Sequence, residues 1–340
     1  MKNIVLTGGC GFIGSHTCIL LLEQNFNVHV IDNLYNSSGR VIEDIKKIVP
    51  HKEKQLHFHY ISLLDYKELY SVFLNLPKID AVIHFAGLKS VKESINFPIL
   101  YYDSNLVSTL NLLKVMKKCK CHTLIFSSCA TVYGSMRSPL YEKTLTGFGL
   151  TNPYGKTKYF LEEILKDEFA KTSEWRMVIL RYFNPVGAHP SGLIGENSIG
   201  TPNSLMPYVM KVAGGDLPKV FIYGANFETV DGTGVRDYIH VMDLAEGHLK
   251  AYEYIQTKQN KLEIFNLGSG IGTSVLEMIE IIKNVSGRDI PYEIAPRRKG
   301  DLDIVYCNPS RANKILKWKT TRSVEDMCID LWNFYQKSKN

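Results

Sequence analysis

The chain has 340 residues, of which 45% are hydrophobic and 22% are charged. These values are typical of folded globular proteins and argue against disorder, and the length favours two lobes over one core. The net charge of +6 comes from lysines spread along the sequence, which we interpret as solvated faces and not as a nucleic-acid-binding surface. An anionic small substrate would explain some of these charges equally well. No apolar run approaches the about 20 residues that span a bilayer, so no membrane association is expected.

The cysteines indicate the compartment. There are seven, an odd number, scattered over positions 10, 18, 119, 121, 129, 307 and 328. This distribution suits a reducing compartment better than a disulfide framework. Because Met1 leads almost directly into an apolar run without a signal-peptide pattern, we expect a cytoplasmic protein. Cys119 and Cys121 lack the two-residue gap of a zinc knuckle and have no matching pair downstream, so no metal is expected.

Short apolar runs alternate with longer amphipathic runs in the first half of the chain. The short runs predict strands at Ile4–Thr7, Asn27–Ile31, Leu56–Tyr60, Ala81–Phe85, Thr123–Ser127 and Met177–Arg181. The longer runs predict helices at Gly11–Glu23, Gly39–Val49, Tyr66–Leu74, about Ile99–Lys118 and about Pro153–Lys171. Buried strands that alternate with helices indicate an α/β fold, a Rossmann-type doubly wound parallel sheet.

The texture of the sequence changes after Asn184. Glycine and proline become frequent through 187–202 and 214–234, and strands no longer alternate regularly with helices. We therefore predict a nucleotide-binding domain over 1–183 and a smaller mixed α/β substrate lobe over 184–340. The strand Val235–His240 and the helix after it, together 235–256, are predicted to return to the first domain.

A glycine-rich turn follows the first predicted strand. It satisfies the spacing Gly9-x-Gly11-x-x-Gly14 and also Gly8-x-x-Gly11-x-x-Gly14. The glycines permit a tight turn and close approach of a pyrophosphate to the helix N-terminus, although glycine-rich turns alone are common. Asp32, at the end of the second strand, can accept hydrogen bonds from ribose hydroxyls and would repel a 2′-phosphate, so NAD is predicted over NADP. A solvated strand-end aspartate is the alternative.

Tyr154 and Lys158 form a Tyr-x-x-x-Lys pattern near the start of a predicted helix. Residues four apart lie on one helical face, so the phenol and the ammonium can address one reactive point. A nearby positive charge favours the phenolate of a tyrosine whose free pKa is about 10. The stretch Phe126–Gly134 brings small polar side chains to the same edge of the sheet, although such runs also begin loops and cap helices.

Together with these segments, four longer stretches make the chain resemble the UDP-galactose 4-epimerase family of extended short-chain dehydrogenases/reductases. The likeness runs from Lys2 to about Tyr335. The stretches are His84–Lys89, Arg181–Pro190, Asp231–Leu244 and Ala295–Leu302.

The resemblance implies an isomerase of galactose metabolism that interconverts UDP-glucose and UDP-galactose with NAD bound throughout. Tyr154 would take the C4 hydroxyl proton while hydride passes to the nicotinamide, and the keto-sugar would turn and be reduced on its other face. Lys158 would tune Tyr154 and hold the nicotinamide ribose. Family likeness also implies a homodimer that packs through the helices at about 99–118 and 153–171.

The family's site residues are carried over by matching position. The cofactor residues are Gly8, Gly11, Phe12, Ile13, Gly14, Asp32, Asn33, Phe85, Ala86, Gly87, Lys89, Ser127, Tyr154, Lys158 and Tyr182. Besides Tyr154 and Lys158, the catalytic positions are Cys129 and Thr131. The UDP-sugar residues are Asn184, Asn203, Leu205, Tyr223, Arg236, Arg298, Asp301 and Val305.

Several positions depart from the family pattern. Cys129 stands where a serine usually hydrogen-bonds the sugar C4 oxygen, and Ser128 and Thr131 are the alternative carriers of that bond. Val305 stands where a tyrosine is associated with exclusion of N-acetylated sugars, so UDP-N-acetylglucosamine is a further expected substrate. The other departures are Cys10, Ser62, Ser104 and Ser204. They bear on turnover and cofactor affinity and not on the fold.

Other enzymes on the same scaffold are the nearest alternatives. A 4,6-dehydratase carries an Asp-Glu pair after the active-site threonine, whereas Thr131 is followed by Val132 and Tyr133. A decarboxylase, a dehydrogenase that exchanges NAD at each turnover, and a non-catalytic nucleotide-sugar-binding regulator stay open. The intact Tyr154 and Lys158 argue against the regulator.

Overall fold

A computed structural model describes residues 1–197, 202, 204–298 and 300–339. Its strands, in chain order, are Asn3–Thr7 (β1), Asn27–Asp32 (β2), Leu56–Tyr60 (β3), Ala81–His84 (β4), Thr123–Cys129 (β5), Arg176–Tyr182 (β6), Asn184–Val186 (β7), Val220–Tyr223 (β8), Val235–His240 (β9), Lys261–Leu267 (β10), Gly272–Ser274 (β11), Tyr292–Ala295 (β12) and Ile304–Val305 (β13). The helices are Phe12–Glu23 (α1), Arg40–Ile48 (α2), Tyr66–Asn75 (α3), Val91–Asn96 (α4), Pro98–Tyr102 (α5), Ser108–Lys118 (α6), Pro153–Lys171 (α7), Leu205–Ala213 (α8), Val241–Gln256 (α9), Val275–Ser286 (α10), Ser310–Ile315 (α11) and Val324–Lys339 (α12).

The first compact unit comprises 1–134, 145–181 and 245–265. Its seven-stranded sheet has the order β10-β6-β5-β4-β1-β2-β3, and the pairings among β1 to β5 are parallel. The predicted Rossmann-type doubly wound sheet is confirmed. The strand order reverses between β1 and β4, and this is the point at which such sheets bind ligands beyond the strands' carboxyl ends. Every residue of β1 and β4 is buried, as expected for strands covered on both faces.

The helix predicted over about 99–118 is not continuous. α5 and α6 are separated by a π-helical turn over Asp103–Val107. At its centre the buried Asn105 carboxamide accepts from Leu88 N (2.7 Å) and donates to Leu88 O and Thr157 Oγ1 (both 3.0 Å). A widened turn at a buried polar side chain is a common cause of such interruptions, and the apolar spacing of the sequence does not reveal it.

The second unit comprises 135–144, 182–244 and 266–340. In its small sheet β9 pairs with β7, β11 and β13, and β8 pairs with β12 separately. Its core is formed mainly by α8, α10 and α12, through residues such as Met206, Met278 and Leu331. α10 begins with a capping box, in which Ser274 and Glu277 exchange side-chain and backbone hydrogen bonds.

The observed division differs from the predicted one within 235–256. Only 245–256 joins the first unit, because β9 forms backbone hydrogen bonds with strands of the second unit and 241–244 stay with it. The segment 135–144 also belongs to the second unit, since the backbone of Leu140 bonds with Tyr306 and Asn308. Both differences are long-range pairings that local sequence patterns do not encode.

Candidate active site

The glycine-rich turn between β1 and α1 has the geometry of a phosphate-binding loop. Gly8 has a φ of +71°, and a Cβ there would lie 2.6 Å from the backbone N of Ala86. A Cβ on Gly14 would lie 2.3 Å from Gly8 O. Helix α1 begins at Phe12, and Gly11 before it offers no side-chain cap. First-turn amides beside an open glycine cradle fit a pyrophosphate.

Asp32 ties this loop to the end of β2. Its carboxylate accepts hydrogen bonds from Cys10 N (3.0 Å), Leu34 N (2.8 Å) and Ser37 Oγ (3.1 Å). A carboxylate has about four acceptor positions, so one is left for a ribose hydroxyl. The predicted role and a structural role are therefore compatible at this residue.

Further predicted cofactor residues follow β4. The amides of Phe85 and Ala86 donate to Thr7 O at 2.9 and 3.0 Å, so the chain after β4 stays against β1. Lys89 Nζ lies 5.9 Å from the ring centroid of Phe12. The remaining cofactor positions are exposed or half-buried: Ile13, Asn33, Gly87 and, at the end of β6, Tyr182.

Helix α7 carries the predicted reactive pair, Tyr154 and Lys158. It begins at Pro153, and Asn152 caps it by accepting from Gly155 N at 2.8 Å. Tyr154 and Lys158 lie one turn apart and are 7% and 5% exposed. Lys158 Nζ donates to Ser127 O at 2.8 Å. Burial lowers the pKa of Lys158, while Cys129 and Glu162 act in the opposite direction.

The end of β5 places two further predicted residues together. Cys129 Sγ lies 2.6 Å from Thr131 Oγ1, in the 3-10 turn that follows the strand. Ser128 points elsewhere, because its hydroxyl donates to Glu162 Oε1 at 2.6 Å. Of the two alternatives to the thiol, Thr131 is therefore the one beside Cys129.

His248 is a further residue beside the predicted cofactor residues that no sequence pattern indicated. Its Nε2 lies 2.9 Å from Ser127 Oγ, and its ring centroid lies 4.7 Å from that of Phe85. Both partners are predicted cofactor residues. The histidine lies in the middle of α9, 121 residues from Ser127, and no local motif marks it.

The second unit brings several predicted UDP-sugar residues together. Arg298 Nε contacts Asp301 Oδ2 at 3.0 Å, and its guanidinium lies 4.6 Å from the ring centroid of Tyr223. Burial lowers the pKa of Arg236; Asp301 opposes this shift and Arg298 reinforces it. Val305 pairs with Arg236 in a parallel register, so their side chains share a face of the sheet. Two arginines beside an exposed aromatic ring can bind a nucleoside diphosphate.

Asp237, next to Arg236, holds this sheet in place. It is fully buried and accepts from Ser269 N and Oγ (2.8 and 2.7 Å), Gly270 N (3.0 Å), and Cys307 N and Sγ (3.1 and 3.3 Å). It thereby joins the segments beside β11 and β13 to β9. Asp237 lies within the stretch Asp231–Leu244 that carries the family resemblance, which implied no role for it.

The other predicted substrate residues are less clustered. Asn184 is exposed at the start of β7 and pairs with Tyr238, two positions after Arg236. Leu205 begins α8 and packs against the core of the second unit. Asn203 lies outside the described residues. Among the described residues, no group of three or more His, Cys, Asp or Glu side chains is arranged to hold a metal ion, and no helix is long and apolar enough to cross a membrane.

Comparisons with known proteins show the family of this chain. Residues 5–331 match the family model described as GDP-mannose 4,6 dehydratase. UDP-glucose 4-epimerase 2 of Arabidopsis thaliana is 48% identical over 98% of this chain and 95% of its own length. UDP-glucose 4-epimerase of Caenorhabditis elegans is 49% identical over 99% and 98%.

A solved structure is also similar. The crystal structure of UDP-glucose 4-epimerase from Bifidobacterium longum, in complex with NAD+ and UDP, is 47% identical with a TM-score of 0.94. The match covers 100% of this chain and 99% of that one. The glycine cradle, Asp32 and the Tyr154–Lys158 helix are the parts of this chain that fit NAD. The chain therefore belongs to the family of extended short-chain dehydrogenases/reductases that this family model represents and, within it, to the UDP-glucose 4-epimerases.

Proposed function

We propose that this protein is an NAD-dependent isomerase that interconverts UDP-glucose and UDP-galactose by epimerisation at C4, as in galactose metabolism. This proposal rests mainly on Tyr154 and Lys158, which lie on one face of α7; Lys158 is buried and hydrogen-bonded. The same unit contains the glycine-rich turn that fits NAD. NAD, when bound, supplies the hydride acceptor and donor. The absence of an Asp-Glu pair after Thr131 disfavours dehydration, despite the description of the family model.

The chain's own residues have distinct roles in this proposal. Tyr154 takes the proton of the C4 hydroxyl and later returns it, and the Lys158 ammonium favours the phenolate. Arg236 and Arg298 hold the diphosphate, Asp301 contacts the uridine ribose, and the Tyr223 ring stacks on the uracil. An anchor at the diphosphate leaves the sugar free to turn between the two hydride transfers.

The free thiols support a cytoplasmic location, which is a further part of the proposal. All seven cysteines are unpaired thiols, which fits a reducing compartment such as the cytoplasm.

An apolar surface supports a homodimer. Helices α4 and α5 pack on α7, and these helices and the linking residue Phe97 leave apolar side chains exposed. We therefore propose that the homodimer forms through this surface. The exposed residues are Ile95, Phe97, Ile99 and Phe160.

The catalytic proposal is tested with UDP-galactose and no added NAD. We expect UDP-glucose as the product, and we expect NAD in the supernatant after the purified protein is denatured. Tyr154→Phe should lose about 10²- to 10⁴-fold in kcat, because it removes the acid–base group. An unconverted sugar, or activity that depends wholly on added NAD in a protein carrying none, would contradict the proposal.

Val305→Tyr tests the substrate range. Valine beside Arg236 leaves room for an acetamido group, so we expect turnover of UDP-N-acetylglucosamine by the wild type. The tyrosine should lower kcat/KM for the acetylated sugar about 10- to 100-fold, with little change for UDP-glucose. Ile304→Tyr is the matched control, since Ile304 points to the opposite face of β13 and should change neither value. If wild type does not turn over the acetylated sugar, the proposed role of Val305 in admitting it is wrong.

Cys129 is expected to slow catalysis. A thiol is a weaker hydrogen-bond donor and acceptor than a hydroxyl, so Cys129→Ser should raise kcat several-fold, about the effect of one hydrogen bond. Alkylation of the thiol should inactivate the enzyme, with protection by bound UDP-sugar. Cys119→Ser, at a half-buried thiol after α6, is the control. Values of kcat within twofold of wild type for both Cys129→Ser and Cys129→Ala would show that Thr131 suffices.

Ile99→Asp tests the dimer. A buried carboxylate is costly in an apolar interface, so we expect light scattering to give a dimer for wild type and a monomer for this variant. Ile329→Asp, at an exposed position of α12, should stay dimeric. A monomeric wild type, or a dimer unaffected by Ile99→Asp, would count against this surface.

A further inference from the structure

His248 contacts two residues that lie just past the last residues paired between β4 and β5. The register of β4 and β5 ends at His84 and Phe126. Phe85 and Ser127 are therefore the next residues along the two strands. Ser127 still lies within β5, beside β6, and Phe85 N still donates to Thr7 O, but β4 and β5 are no longer paired with each other here. Side-chain contacts are what link the two residues.

The imidazole of His248 makes contacts of two kinds. Its Nε2 forms a hydrogen bond with Ser127 Oγ at 2.9 Å, and both residues are fully buried. Its ring lies against Phe85 at a centroid distance of 4.7 Å and an interplanar angle of 48°. A hydrogen bond between two buried side chains is costly to break, so the histidine links the Ser127 side chain to the Phe85 ring in one arrangement.

The backbone of Ser127 contacts Lys158, one of the two proposed catalytic residues. The Ser127 carbonyl accepts a hydrogen bond from Lys158 Nζ at 2.8 Å. Lys158 is buried, with only 5% of its surface exposed. An ammonium has three donors in fixed mutual directions. The position of the Ser127 carbonyl therefore determines where the other two donors of Lys158 point.

We propose that His248 is a positioning residue for the reaction. By fixing Ser127 it aims the Lys158 ammonium, and by packing on Phe85 it shapes one wall of the predicted cofactor site. This inference rests on the proposed function for its assay. It assigns a role to a residue of α9 that touches neither reacting atom.

The experiment is a double-mutant cycle. His248→Phe keeps a ring against Phe85 and removes the hydrogen bond, Ser127→Ala removes the same bond from the other side, and the third variant combines both. His248→Gln keeps a hydrogen-bonding group as a conservative rescue. Tyr254→Phe is the matched control. It removes a partly buried hydrogen bond that Tyr254, on the same helix, donates to Glu263 at 3.3 Å.

We expect His248→Phe and Ser127→Ala each to lower kcat about three- to tenfold, with KM for the UDP-sugar unchanged. The kcat of the double variant should be no lower than that of the less active single variant, because both substitutions remove the same hydrogen bond. His248→Gln should recover part of the loss, and Tyr254→Phe should keep wild-type kcat. The proposal would be overturned if the fold-losses in kcat of the two single variants multiplied in the double variant. It would also be overturned if the single variants had reduced thermal stability but unchanged kcat.

The NAD dissociation constant separates this inference from the proposed function. If wild type shows no epimerase turnover, the proposed function fails. In that case weaker NAD binding by His248→Phe and Ser127→Ala, without further weakening in the double variant, would still support the positioning role. An unchanged dissociation constant in both variants would overturn it.

Discussion

The buried ammonium of Lys158 constrains the architecture of the first unit. Removal of a cation from water costs several kcal/mol even after relaxation, so the surrounding residues must compensate for the lost hydration. The Ser127 carbonyl accepts one of its protons, and the ring of Phe126 lies 5.0 Å from Nζ. The Glu162 carboxylate, one helical turn further along α7, favours the charged form of Lys158. Helix α7 is thereby fixed against the end of β5.

Glu162 in turn requires partners of its own. It is fully buried and accepts from Ser128 Oγ and from Arg181 Nε and Nη2, at 2.6 to 3.2 Å. Arg181, from β6, lies 4.9 Å from the ring of Tyr133. Removal of either charge would leave the other buried without its counter-ion, which typically costs about 3–5 kcal/mol. The ion pair thus joins α7 to β6, and Ser128 and Tyr133 connect it to β5 and to the turn after β5.

The parts of the site that the sequence predicted are those encoded within a few residues. The spacing of Gly8, Gly11 and Gly14, and the one-turn separation of Tyr154 and Lys158, follow from the geometry of a single turn or helix. The sheet could be predicted because buried strands alternated with helices. By contrast, the π turn at Asn105 depends on bonds to Leu88 and Thr157, and the place of β9 depends on strands far from it in sequence. His248 and Asp237 belong to the same category, because their hydrogen-bond partners lie 32 to 121 residues away.

In the proposed function, each unit has its own predicted residues. The first has the glycine-rich loop and the proposed acid–base pair, and the second has the arginines, the carboxylate and the aromatic ring proposed to bind a nucleoside diphosphate. The central claim is that hydride leaves C4 and returns to the same carbon without exchange. The most direct test is turnover of UDP-glucose deuterated at C4, with unlabelled NAD added to the solution. The account predicts UDP-galactose that retains the deuterium at C4, whereas transfer of the label to the added cofactor or to solvent would contradict it.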